Sequence, residues 1–145
     1  MSQTFLLADD DSDDHELFAA ALAELDRSIV FDKALDGLQL INQLIEQKVA
    51  RPDIIFLDLN MPLMNGWRCL EALKKIEEIK HIPVIIYSTS DQQLEEQRAE
   101  EMGALCFLRK PESFSTLISI LSTISDHLHG GSLVNLRSAI RKFSS

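Results

Sequence analysis

The stretch DIIFLDLNMPLMNG (residues 53–66) reads as a strand that runs into an acid. Ile54, Ile55, Phe56 and Leu57 are consecutive and apolar, the pattern of a strand buried on both faces rather than one with a wet side. Asp58 follows directly. A carboxylate at the end of a buried strand is costly unless something meets it, so the stretch raises both the question of the fold and the question of the site.

Working outward, the same signature recurs. Phe5-Leu6-Leu7-Ala8, Ile29-Val30-Phe31, Val84-Ile85-Ile86-Tyr87 and Leu105-Cys106-Phe107-Leu108 are each of strand length, and the runs at 54–57 and 84–87 are rich in strand-favouring side chains. Between the runs, apolar residues recur at helical spacing. The first set is Leu17, Phe18, Ala21, Leu22 and Leu25, with Asp13 and Glu16 spaced as a capping box. The second is Leu38, Ile41, Leu44 and Ile45, after a turn at Asp36-Gly37. The third, over residues 66–79, is Trp67, Leu70, Leu73 and Ile76. A fourth helix over residues 91–102 is heavily acidic and ends at Gly103, a C′ glycine. The fifth, over residues 113–128, shows Leu117, Ile120, Leu121 and Ile124. Five strands alternating with five helices predict an α/β fold, a five-stranded parallel sheet with helices on both faces. Right-handed crossovers leave few topologies for it.

Composition sets the bounds. The chain has 145 residues, the size of one domain, and is 46% hydrophobic and 26% charged. Its formal net charge is −9, which argues against non-specific binding to nucleic acid or to an anionic membrane, since both require a positive surface. No segment approaches the roughly 20 apolar residues of a membrane span. The N-terminus lacks the basic region of a signal peptide, so the expected compartment is cytoplasmic. Cys69 and Cys106 are far apart and in no metal-ligand spacing, as for two buried reduced thiols.

In an open parallel sheet, chemistry gathers beyond the carboxyl ends of the strands. There the first strand delivers Asp9-Asp10-Asp11, the third Asp58, the fourth Ser88-Thr89-Ser90 and the fifth Lys110-Pro111. Neighbouring carboxylates repel strongly in a low-dielectric cleft, and a divalent cation removes the difficulty. Oxygen-only ligands suit Mg²⁺, with Asp10 and Asp58 as direct ligands, Asp9 direct or through water, and the carbonyl of Asn60 as a further oxygen. A cation, the Lys110 ammonium and the Ser88 hydroxyl around one aspartate are the parts needed to hold a phosphoryl group on it.

With these residues in place, the chain resembles the receiver domains of two-component response regulators, the CheY-like family. The resemblance covers residues 4–128 through LLADDDSDD, IIFLDLNMPLMNG, PVIIYSTS and FLRKP. It implies the flavodoxin-like, doubly wound strand order 2-1-3-4-5. It implies Asp58 as phospho-acceptor, Asp9 and Asp10 as the acidic pair holding Mg²⁺, and Asn60 as the carbonyl donor to that ion. Lys110 would be the lysine that pairs with the phosphoryl group, Ser88 the switch hydroxyl, and Phe107 the aromatic that turns inward on activation. It also implies a cis Lys110–Pro111 bond, and Asn60 and Ser90 as flanking residues that tune hydrolysis. The chain departs from the common pattern in having Phe107 where Tyr is frequent, which removes a hydroxyl, and Ser88 where Thr is frequent, which removes a methyl. Arg109 adds a second cation beside Lys110.

The resemblance further implies the partners: a sensor histidine kinase or histidine phosphotransfer protein as donor, and a downstream protein target, with homodimerisation on phosphorylation as one form of output. On this reading the chain is not a turnover enzyme. The expected organisation is a receiver over residues 1–129 and a short basic tail over 130–145, where Leu133, Leu136 and Ile140 are spaced like a short helix beside Arg137, Arg141 and Lys142. Sixteen residues after His129 are too few for an effector module, so output is expected in trans. A receiver cut from a longer regulator is the alternative. A haloacid-dehalogenase-type phosphatase also uses aspartate, Mg²⁺, a hydroxyl and a lysine, but would carry its DxD motif after the first strand. A receiver-like interaction module without phosphorylation is disfavoured by the complete set Asp9, Asp10, Asp58, Ser88 and Lys110.

Overall fold

Five strands, β1 (Gln3–Ala8), β2 (Ile29–Ala34), β3 (Ile54–Leu57), β4 (Val84–Ser88) and β5 (Cys106–Arg109), form one parallel sheet in the order β2-β1-β3-β4-β5. Around it lie α1 (Ser12–Ala23), α2 (Gly37–Ile45), α3 (Gly66–Lys75), α4 (Gln93–Glu101), α5 (Phe114–Gly130) and α6 (Leu133–Arg141). The computed structural model describes residues 2–46, 51–89, 93–130 and 133–143. β3 runs between β1 and β4, in register with Phe5–Ala8 on one side and with Val84–Ile86 on the other.

Period-two alternation divides each central strand between two cores. Phe5, Leu7, Ile54, Phe56, Ile85 and Tyr87 face α1 and α5, while Leu6, Ala8, Ile55, Leu57 and Ile86 face α2 and α3. That is why these central runs carry no polar alternation: neither face meets water. Phe18 of α1 anchors the first core, packing edge-on to Phe56 at 4.9 Å and stacked on Phe31 at 5.3 Å.

Several helices are shifted from the sequence expectation. α1 begins two residues before the Asp13–Glu16 box: Asp11 is the N-cap, and its carboxylate accepts from Asp13 N. Leu17 is exposed, and the buried stripe is Phe18, Ala21 and Leu22. In α2, Leu38 and Ile45 are exposed while Leu40, Ile41 and Leu44 are buried. Both α1 and α2 are apolar on more than one side, so spacing alone does not say which side faces the sheet. α3 ends at Lys75, before Ile76, whose backbone is already extended. α4 ends as expected at Gly103, with φ +98, Gly103 N donating to Glu100 O and Ala104 N to Ala99 O, a Schellman closure. The Lys110–Pro111 bond is trans, there being no cis peptide among the described residues. The two isomers of an X–Pro bond differ by only about 0.5–1 kcal/mol, so local sequence does not dictate which is adopted.

The tail forms the short helix that the spacing of Leu133, Leu136 and Ile140 suggests, a sixth beside the five that alternate with the strands. α6 packs on α5 and β5, with Leu136 and Ile140 fully buried beside Leu105, Cys106 and Leu108. Arg137 Nε donates to the Leu105 carbonyl at 2.6 Å, and Arg141 pairs with Glu100 of α4 at 2.5 Å. A helix of this length is marginal alone in water, so its stability comes from this packing. It also packs on β5, one of the two edge strands of the sheet.

Candidate functional site

One extra ladder bond past each strand builds the site. Asp9 N donates to Ala34 O at 3.0 Å, Asp58 N to Ala8 O at 2.9 Å, and Lys110 N to Ser88 O at 2.8 Å. The backbone therefore stays extended for one residue beyond β1, β3 and β5, and Asp9, Asp58 and Lys110 arrive at the same edge. Behind Asp58 the loop turns back sharply: Gly66 N donates to Leu59 O at 3.0 Å. A Cβ at Gly66 would collide with the Asp58 carbonyl, which explains the glycine eight residues after the acid.

The side chains converge. Carboxylate oxygens of Asp9, Asp10 and Asp58 all lie within 4.8 Å of one another. Asp9 is fully buried and Asp58 nearly so, whereas Asp10 is exposed. Lys110 Nζ lies 2.7 Å from Asp9 Oδ2 and 3.7 Å from Asp58 Oδ1, and 5.7 Å from the centre of the Tyr87 ring. Ser88, at the end of β4, is 1% exposed. Asn60 and Ser88 share a crevice of about 360 Å³ with Trp67 and Glu95. Phe107 is buried on the α2–α3 face of the sheet, in register with Ile86. The aromatic expected to turn inward thus already occupies an inward position. Ser90 lies outside the described residues.

The electrostatics carry the signature of an anion-rich site. Burial, then the charge of Asp9, pushes the Asp58 carboxyl up to about 6, against the partial relief given by Lys110. Burial likewise raises Asp9. Burial alone would lower the Lys110 ammonium, but hydrogen bonds to Asp14 and Asp9 and the charge of Asp58 outweigh it and hold its pKa above that of an ordinary lysine. Asp9, Asp10 and Asp58, oxygen donors only and short of neutralising charge, fit a hard divalent cation.

Two residues of this site escaped the sequence reading. Asp14, in the first turn of α1, lies 2.6 Å from Lys110 Nζ. His15 is buried, and its Nε2 lies 2.7 Å from the Asp9 carbonyl oxygen. In the run DDDSDD, the roles of Asp11 as cap and Asp14 as lysine partner depend on where α1 starts, and the misplaced start hid both.

The description "Response regulator receiver domain" matches residues 5–122, and the chain belongs to that family. Receivers of this family accept a phosphoryl group and switch a signal, and they work with histidine kinases and downstream targets. The receiver domain is a signalling module, although some proteins that carry one are enzymes, and the phosphatase alternative is not favoured. Among curated relatives, a protein-glutamate methylesterase/protein-glutamine glutaminase of Clostridium acetobutylicum is 36% identical over 110 residues, 74% of this chain but 30% of that protein. The chain thus spans under a third of that relative. Among solved structures, the phosphorylated cyanobacterial phytochrome response regulator RcpA is 26% identical with a TM-score of 0.81, covering 91% of this chain and 97% of that one. The Mn²⁺-bound form of response regulator Rcp1 is also 26% identical, with a TM-score of 0.75 over 86% and 92% of the two chains. No helix among the described residues is long and apolar enough to cross a membrane.

Proposed function

We propose that Asp58 accepts the phosphoryl group, with Mg²⁺ held by Asp9, Asp10, Asp58 and the carbonyl of Asn60. The observation that carries this reading is the meeting of three carboxylates with Lys110 at the carboxyl edge of the sheet, Asp58 alone at the end of its central strand. An oxygen of Asp58 attacks phosphorus; the bond from phosphorus to the donor's imidazole nitrogen breaks, and the electron pair leaves with the imidazole. Bound Mg²⁺ would supply positive charge to the transferring oxygens. Lys110 pairs with one of those oxygens and the Ser88 hydroxyl donates to another. In hydrolysis, water oxygen attacks phosphorus, the Asp58 O–P bond breaks, and the carboxylate is regenerated as inorganic phosphate leaves. Asn60 and Ser90 tune that rate.

The donor is a sensor histidine kinase or histidine phosphotransfer protein. The switch runs from Ser88 to Phe107: both lie on the α2–α3 side of the sheet, and bonding of Ser88 to the phosphoryl group stabilises the buried position of Phe107, a population shift between existing states. The surface affected is α4, β5 and α5. The acidic α4 suits a protein target, reached in trans, or a second copy of the chain on phosphorylation. Residues 1–129 act as the receiver and the tail at 130–145 as an appendage docked on it through α6. The chain acts in the cytoplasm and is not a turnover enzyme beyond its own phosphorylation and dephosphorylation.

The test is intact mass after incubation with acetyl phosphate and Mg²⁺, beside Asp58→Asn, with size exclusion on the same samples. A gain of one phosphoryl group in the wild type alone is expected. Equal labelling of both proteins would overturn the assignment. A size shift that follows labelling would place output in dimerisation.

A further inference from the structure

Lys110 is shared unequally. Its ammonium has three hydrogens to donate. Two are committed, at 2.6 Å to Asp14 Oδ2 and 2.7 Å to Asp9 Oδ2. Asp58 Oδ1, at 3.7 Å, is beyond hydrogen-bond reach. The lysine therefore rests against α1 and β1, one bond short of the proposed acceptor.

The two partners differ in kind. Asp9 belongs to the carboxylate cluster: its Oδ1 accepts from Asp11 N at 3.0 Å, and its Oδ2 is the atom Lys110 holds. Asp9 Oδ2 keeps a further lone pair, but a cation bound there would lie against the Lys110 ammonium on the same oxygen, and the two positive charges would compete for it. Asp14 stands outside the cluster of ligand oxygens. It sits on the first turn of α1, where a carboxylate is favoured by the helix dipole, and its side chain is 25% exposed. Asp14 is thus the partner Lys110 can keep when Asp9 turns to a cation. The Tyr87 ring closes another side of the ammonium, so its choices are few.

The geometry points to Asp14 as a positioning residue: it tethers Lys110 beside Asp58 and thereby releases Asp9 for the cation. This rests on the reading of Asp9, Asp10 and Asp58 as the cation site. Without Asp14, Lys110 falls back on Asp9 and Asp58 and competes directly with the ion. The hydrogen bond at stake is charge-assisted and part-buried, and its loss is expected to weaken Mg²⁺ binding at least tenfold. Asp13, an exposed neighbour in the same turn, carries equal charge without a bond to Lys110. Its neutralisation reports the long-range effect of charge alone.

The experiment is calorimetric titration of the full chain with Mg²⁺ alone: wild type, Asp14→Asn, Asp13→Asn, Lys110→Met, and Asp14→Asn in the Lys110→Met background. Urea unfolding of each variant checks the fold. The tether predicts at least tenfold weaker binding for Asp14→Asn, less than threefold for Asp13→Asn, and no further effect of Asp14→Asn once Lys110 is gone. Equal losses for Asp14→Asn and Asp13→Asn, or the same loss with and without Lys110, would overturn it in favour of plain charge. A wild type that binds no Mg²⁺ would overturn the cation site itself, and the tether with it. Wild-type binding with an unchanged Asp14→Asn would overturn the tether only.

Discussion

Replacing the proposed phospho-acceptor is expected to make the metal-free protein more stable. Asp58 is 6% exposed, and its carboxyl is raised from 3.8 to about 6 by burial and by Asp9. At about 1.4 kcal/mol per pH unit, keeping it ionised in the folded state costs about 3 kcal/mol. The sign follows from proton counting. Between pH 4 and 6 the folded state binds more protons at Asp58 than the unfolded state, so stability falls as pH rises through that window and is level above it. Asparagine has nearly the same shape and carries no charge. Asp58→Asn should therefore be about 3 kcal/mol more stable than wild type at pH 7.5 in EDTA, a rise of about 10 °C in Tm for a chain of this size. The difference should shrink toward zero at pH 4. Urea and thermal unfolding of both proteins across pH 4–8 in EDTA would measure it, and Mg²⁺ added at pH 7.5 should stabilise the wild type more than the mutant. Parallel pH profiles, or a mutant no more stable at pH 7.5, would refute the claim that Asp58 is a buried charge only partly compensated by Lys110.

Other perturbations follow from the same geometry. Lys110→Met should destabilise the protein by about 3 kcal/mol in urea unfolding near neutral pH, because the fully buried Asp9 loses the cation 2.7 Å away; Asp9→Asn in that background should recover most of the loss. Gly66→Ala should lower stability by several kcal/mol and abolish acetyl phosphate labelling, since its Cβ would displace the Asp58 carbonyl. Leu136→Ala and Ile140→Ala should each cost about 2–4 kcal/mol, both side chains being fully buried; losses under 1 kcal/mol would mean that α6 does not dock. Leu63 has φ +66 and is 77% exposed, so Leu63→Asn should raise stability by about 0.5–1 kcal/mol by easing a left-handed backbone without losing packing.

The strands and their order of chemistry were legible in the chain because both depend on local facts. A run such as Ile54 to Leu57 has one stable destination, a strand covered on both sides, and the acid after it is conspicuous for that reason. Alternation with helical spacing was enough for the sheet and its layers. Tertiary structure decided what depends on register and competition. Which face of α2 is buried turned on Leu40 rather than Leu38, since several stripes compete on one apolar helix. The start of α1 decided that Asp11 caps and Asp14 reaches Lys110, although six consecutive positions offer nearly equivalent carboxylates and a serine. The tail became α6 only because Leu136 and Ile140 find a surface to cover. Residue type at a strand end states which chemistry is available; only the packed chain, 2.6 Å here and 3.7 Å there, states which of those groups holds which.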